Sequence, residues 1–139
     1  MTEPLHALFT AVKTRATAVN ETWAERVYME SAPAGTLYPY LVFFLSAGGE
    51  ENAVVAEDAR YRVGMKVISD SYDACAIGST RLGELFNDRG KHDGAAEVTA
   101  TGWTVQNVSR EQSIFRKELI DGRPVYSMGA FYVFNMEAT

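Results

Sequence analysis

The chain is poor in the residues that most often carry chemistry. It has one cysteine, Cys75, and two histidines, His6 and His92, among 139 residues. A lone cysteine excludes an internal disulfide, and a reducing cytosol is the expected setting for its assembly. Neither histidine stands at metal-ligand spacing from the other or from Cys75, so no metal site is expected. No apolar run approaches the roughly 20 residues of a membrane span, and no membrane partner is expected. The opening MTEPLHALFTAVKTR lacks a basic start followed by an apolar block, so it does not read as a secretion signal. No serine sits in a nucleophile elbow. Gly48–Gly49 lacks the lysine and following helix of a phosphate loop. Cys75 falls on an apolar helical stripe, which suits a structural thiol better than a nucleophile. No catalytic residue and no cofactor is expected, and the chain does not read as an enzyme.

Positive charge is also short. Lys and Arg number 13 against 18 Asp and Glu, a net charge of −5. That excludes a protein that grips nucleic acid over its whole surface. It suits one that must let a polyanion pass without sticking, because like charges repel. Apolar residues at 47% and charged residues at 22% are ordinary for a soluble domain. The length fits one domain, 1–139, with a core that needs no staple.

What is present is a clear sequence of periodicities. Leu5, Leu8, Phe9, Val12, Ala16 and Val19 recur at helical spacing behind Pro4, which suits a first turn, and predict a helix over about 3–19. WAERVYME, Trp23–Glu30, predicts a short strand centred on Val27 and Tyr28. After a loop punctuated by Pro33, Gly35 and Pro39, YLVFFLS (Tyr40–Ser46) is apolar on both faces and predicts a central strand. Ala47–Asp58, with two glycines and its acids, reads as a mobile hairpin or loop. Arg60–Ile68 alternates, with Tyr61, Val63, Met65 and Val67 on one face and Arg60, Arg62, Gly64 and Lys66 on the other. Asp70 and Ser71 can cap the next helix, whose buried stripe is Cys75, Gly78, Leu82, Leu85 and Phe86. NDRGKHDG, Asn87–Gly94, ends it.

Trp103–Gln112 predicts a strand with a bulge, since the apolar phase shifts between Val105 and Val108. Ile114–Glu118 continues it or crosses over, Asp121–Gly122 marks a tight turn, and Val125–Met136 is a long last strand. The order helix, strand, strand, strand, helix, strand, strand predicts an α+β domain. Its sheet is mainly antiparallel, of about four to five strands, with two helices on one face.

The row Arg60, Arg62, Lys66 fits the wet side of such a sheet, or a surface that meets an acidic neighbour. The second sheet face should be wet, yet YLVFFL and the last strand (Phe131, Val133) are apolar there as well. A sheet pressed against another copy accounts for that load. The aromatic residues Tyr61, Trp103, Tyr126, Tyr132 and Phe134 allow a different use, as the lining of a small-ligand pocket, though a hydrophobic core is the simpler one.

In the order of its motifs the chain resembles the tail terminator, or tail completion, proteins of long-tailed bacteriophages. The resemblance rests on the helix PLHALFTAVKTRA, the loop and strand TLYPYLVFFL, the unit YRVGMKVISDSYDACAIGSTRLGELF, and the closing strands VSREQSIFRKELIDGRPVYSMGAFYVFNM. It spans nearly the whole chain. It implies a structural virion protein, assembled in the host cytoplasm, that forms a ring, typically of six copies. Such a ring caps the finished tail tube and offers a docking surface to the head-completion and connector proteins, while viral DNA passes through its lumen. A neck ring of the head is the near alternative. On this reading Arg60, Arg62 and Lys66 pair across the subunit interface with acids such as Glu111, Glu118 or Asp121. Glu50, Glu51, Glu57 and Asp58 face the lumen or a docking partner, and loops such as Ala47–Asp58 and Asn87–Glu97 order on contact with tube or connector.

Overall fold

Two periodicities divide the chain. Residues recurring at helical spacing form α1 (Pro4–Thr17) and α2 (Tyr72–Phe86). Residues that alternate form β1 (Val27–Met29), β2 (Tyr40–Glu50), β3 (Asp58–Ser69), β4 (Trp103–Ile120) and β5 (Arg123–Ala138). The structure, a computed structural model, describes residues 4–17, 23, 26–50, 58–86, 98 and 100–139, with the backbone alone at 48–50. Residues 18 and 19 of the expected first helix lie outside the described residues, as do Glu51, Glu57 and the whole stretch 87–97 with His92.

The five strands form one sheet in the order β1-β2-β3-β5-β4. β1 runs parallel to β2, and every other neighbouring pair is antiparallel. The fold is therefore α+β with a mostly antiparallel sheet, as the order of periodicities predicts. β2 runs further than expected. Ala47, Gly48 and Gly49 stay in the ladder opposite Arg62, Tyr61 and Arg60. Pairing uses backbone groups alone, so glycines weaken such a strand without ending it. A register shift between Leu45 and Ala47 marks where the strand leaves its clean alternation.

The bulge in β4 lies where the apolar phase breaks. Val105 pairs with Met136 and Val108 with Phe134, so three steps on one strand match two on the other. A second shift, between Arg110 and Ser113, has no such apolar signature. Beyond it the strand continues to Ile120, and the turn at Asp121 (φ 52°) and Gly122 (φ 77°) has the paired positive φ of a two-residue hairpin.

Both helices pack on one face of the sheet. Leu8, Val12 and Ala16 of α1 and Leu82, Leu85 and Phe86 of α2 share a core with Leu41, Phe43, Val63, Met65, Val67, Tyr132, Phe134 and Met136. Phe9 meets Phe43 edge-on at 5.2 Å. Ser71 caps α2, its hydroxyl accepting from the Ala74 amide at 3.3 Å. Small residues let the helix lie close: a β-carbon on Gly78 would sit 2.8 Å from a Val67 methyl. The Cys75 sulfur is buried within 3.4 Å of the Val67 carbonyl oxygen and 3.3 Å of the Tyr126 carbonyl oxygen. Burial raises its pKa above the ordinary thiol value.

Candidate functional site

Alternation along β3 sends Arg60, Arg62 and Lys66 to the face of the sheet that carries no helix. The pairing fixes what they meet there. Gly64 is flanked by Phe44 on β2 and Phe131 on β5. With no side chain on Gly64, the Phe44 ring lies over it, so that a β-carbon would come within 2.3 Å of Phe44 Cζ. The two rings meet edge-on at 6.0 Å. Arg62 covers one of them, its guanidinium carbon 3.8 Å from the Phe131 centroid, and Lys66 Nζ stands 5.6 Å from the Phe44 centroid.

Arg62 is further fixed by polar groups of its own chain. Its Nε donates to Glu111 Oε1 at 3.2 Å, and its terminal nitrogens donate to Ser46 Oγ at 3.0 Å and Gln112 Oε1 at 3.4 Å. The pairing expected between Arg62 and Glu111 thus exists, but within one chain. It is carried by the second shift in β4, which brings Glu111 and Gln112 to this level of the sheet. Glu118 pairs with Arg116 of its own strand at 2.6 Å and stands near Tyr40. The Tyr40 phenol is pushed up, first by burial and then by the neighbouring Tyr38 and Glu118. Asp121 is exposed at the hairpin tip. Arg60 is exposed on the strand, opposite Gly49 and Asn135.

The acidic candidates lie at the far end of the sheet. Asp58 is exposed and registers with Glu137. Beside them Gln106 Nε2 donates to Glu137 at 2.7 Å, and Asn135 Nδ2 donates to Asn107 Oδ1 at 2.6 Å. Glu50 closes β2 there. The exposed side chains described at this end are therefore polar.

The second face is less bare than its sequence implies. Val42, Ile68 and Val125 form a small buried cluster under Tyr28, Ala32 and Tyr40, so the loop between β1 and β2 covers that end. The aromatic pair with its two cations covers the middle. The apolar load of this face is thus largely satisfied within the chain. Of the five aromatic residues of the alternative pocket, Tyr61, Trp103, Tyr132 and Phe134 are core residues, and Tyr126 is half-buried against Tyr72.

Exposed apolar groups collect instead where sequence reasoning placed none. Phe115 (59% exposed), Leu119 (71%) and Ile120 (47%) lie on the outer half of β4. Tyr72 stands against Phe115 at 6.4 Å, and Leu37 and Tyr38 are exposed just before β2. Most of these cluster at the end where β2 and β5 begin and β3 and β4 finish. A signal was available: SIFRKELI mixes apolar and charged residues on both faces, which a strand buried on either side would not do. Elsewhere an open groove of about 410 Å³ between α1 and β1 is lined by Leu5, Phe9, Met29 and Phe43, with His6, Lys13 and Glu30 around it. Among the described residues no group of three His, Cys, Asp or Glu is placed to hold a metal ion.

No protein-family model matches the chain, and no curated protein matches it. Solved structures do. A chain from the virion of a native gene transfer agent particle superposes with a TM-score of 0.54 at 12% identity, over 96% of this chain and 92% of that one. A second solved structure superposes with a TM-score of 0.50 at 13% identity, over 97% of this chain and 95% of that one. At such identities the likeness is one of fold, and it runs the length of both partners.

Proposed function

We propose that this chain is a structural protein of a phage-like virion and works there as a tail terminator. Copies of it, six in the expected ring, cap the tail tube and form the surface on which the head-completion and connector proteins dock. The observation that carries this reading is the end-to-end likeness of fold to a chain of the gene transfer agent virion. The order of sequence motifs supports it independently. A net charge of −5 suits a ring through which DNA slides without adhering.

The geometry shifts where ring contacts are sought. Arg62 is engaged with Glu111 at home, so Arg60 and Lys66 are the cations of the row left to meet an acid of a neighbour. Asp58, exposed at the far end of the sheet, is the described acid offered to the lumen or a docking partner.

The test is the solution mass of the purified chain by light scattering, alone and with tail tubes assembled from the tube protein of the same particle. A mass near six times the 15.3 kDa chain, or six-copy caps that form only on tubes, supports the terminator. Failure to bind tubes, with binding to connector-filled heads, moves the chain to the neck. A chain that ignores both at every concentration refutes the reading.

A further inference from the structure

We propose that the free chain pairs with a second copy through the outer edge of β4, strand against strand and antiparallel, about a two-fold axis at Lys117. This goes beyond the ring reading and does not depend on it.

β4 is the last strand of the sheet order, so one side of its backbone ladder has no strand neighbour among the described residues. Natural sheets protect such edges, because unpaired amides and carbonyls recruit other strands. The opposite edge, β1, is protected by its length of only three residues. β4 has 18, and its outer half is uncovered: of residues 111–120 only Ile114 and Glu118 are even half-buried. Most of these extended residues can pair edge to edge, a contact of the size that weak or transient interfaces have.

The sequence of that edge is complementary to itself in the register centred on Lys117. With Lys117 opposite its own copy, Arg116 faces Glu118 of the second copy, Phe115 faces Leu119, and Ile114 faces Ile120. Every position but the axis meets its match in charge or in apolar character. Moving the axis to Arg116 sets Phe115 against Lys117 and Ile114 against Glu118. Moving it to Glu118 sets Lys117 against Leu119 and Arg116 against Ile120. Of these three neighbouring registers, only the Lys117 axis avoids burying charge against apolar surface. The like charges at the axis are drawn apart, because each Lys117 Nζ lies toward its own Tyr126 ring, 6.0 Å away on the inner side of the strand. Arg116 and Glu118 already pair at 2.6 Å within a chain. The two-fold contact joins two such pairs into a square of alternating charge, flanked by isoleucines. The product is one sheet continuous across two copies, with exposed Phe115 set against Leu119 on one face and Ile114 against exposed Ile120 on the other.

Single-cysteine variants test the register, since the native Cys75 is buried. Under mild oxidation Lys117→Cys gives a disulfide-linked dimer, while Arg116→Cys and Leu119→Cys alone do not. A mixture of Phe115→Cys and Leu119→Cys cross-links between the two variants. By light scattering the unmodified chain reaches twice its 15.3 kDa mass as concentration rises. Arg116→Glu raises the dimer dissociation constant about tenfold or more, since it replaces two attractive pairs by two repulsive ones. Arg116→Glu/Glu118→Arg restores it. All these positions are exposed or half-exposed, so circular dichroism should be unchanged. A Lys117→Cys chain that does not cross-link, cross-linking at every position alike, or an Arg116→Glu chain that dimerises as before each overturns the proposal. A six-copy mass without the Lys117→Cys link overturns it and leaves the ring reading standing.

Discussion

Gly129 is predicted to be the residue at which one added carbon does most damage. It sits in β5 opposite Lys66 on β3 and Ile114 on β4, in the middle of the sheet. A β-carbon built there would lie 1.8 Å from the Met65 carbonyl oxygen and 2.8 Å from Lys66 Cα. Heavy atoms in contact need about 3.5 Å, so the two strands must part locally by on the order of 1.5 Å. The obstructing atoms are backbone, so no side chain can rotate away. A ladder hydrogen bond stretched that far is no longer one. Two buried backbone groups left unpaired cost about 1–3 kcal/mol each, so Gly129→Ala should lose about 3–5 kcal/mol. Gly83→Ala in α2 is the control. Its β-carbon would meet only the Tyr132 hydroxyl, at the ordinary distance of 3.8 Å. An alanine in mid-helix should then stabilise by about 0.5–1 kcal/mol. Urea titration followed by the fluorescence of Trp23 and Trp103, both buried, reads the two variants. A Gly129→Ala chain within about 1 kcal/mol of the parent would refute the claim that β3 and β5 approach this closely.

Two further outcomes follow from the same geometry. Arg62→Ala removes the cation over Phe131 and the hydrogen bonds to Glu111, Ser46 and Gln112. The site is partly exposed, so the loss in urea stability should be about 1 kcal/mol, and a change below a quarter of that would mean the cluster is not formed in solution. Cys75 is buried and its pKa is raised by that burial, so less of it is thiolate at pH 8 than in a free thiol. Its alkylation by iodoacetamide should be negligible in native buffer and rise with the unfolded fraction in urea, and fast native labelling would place the thiol at the surface.

The two helices and β3 were legible because each is a clean period over many residues. The buried stripe of α2, Cys75, Gly78, Leu82, Leu85 and Phe86, is the stripe read from spacing. The first bulge of β4 was legible because the apolar pairs Val105–Met136 and Val108–Phe134 announce a phase change. The second was not, because Glu111 and Gln112 within it, and Arg110 and Ser113 on either side, are all polar. The length of β2 was underestimated because Gly48 and Gly49 look like a loop while the ladder asks nothing of their side chains. The partner of Arg62 is a matter of register across three strands, β3, β5 and β4. A single residue of slip in β4 would send Glu111 to the other face, and no local pattern reports that.

The distribution of apolar surface bears on how such a chain can assemble. From sequence alone, the aromatic residues on the helix-free face call for a second copy laid against it. Phe44, Phe131, Arg62 and Lys66 instead close over one another, and the loop carrying Ala32 closes over Val42, Ile68 and Val125. The unmet demand moves from the face of the sheet to its edge and its hairpin end. A two-fold contact at the β4 edge is satisfied by one partner and goes no further, whereas a ring needs two different surfaces on each copy. The pairing proposed for β4 therefore cannot itself build the ring. Either the proposed ring uses other surfaces, such as the α1–β1 groove and the Arg60–Lys66 face, with β4 pairs intact. Or the β4 pair opens as copies meet the tube, which would hold the free chain back from assembling before a tube exists.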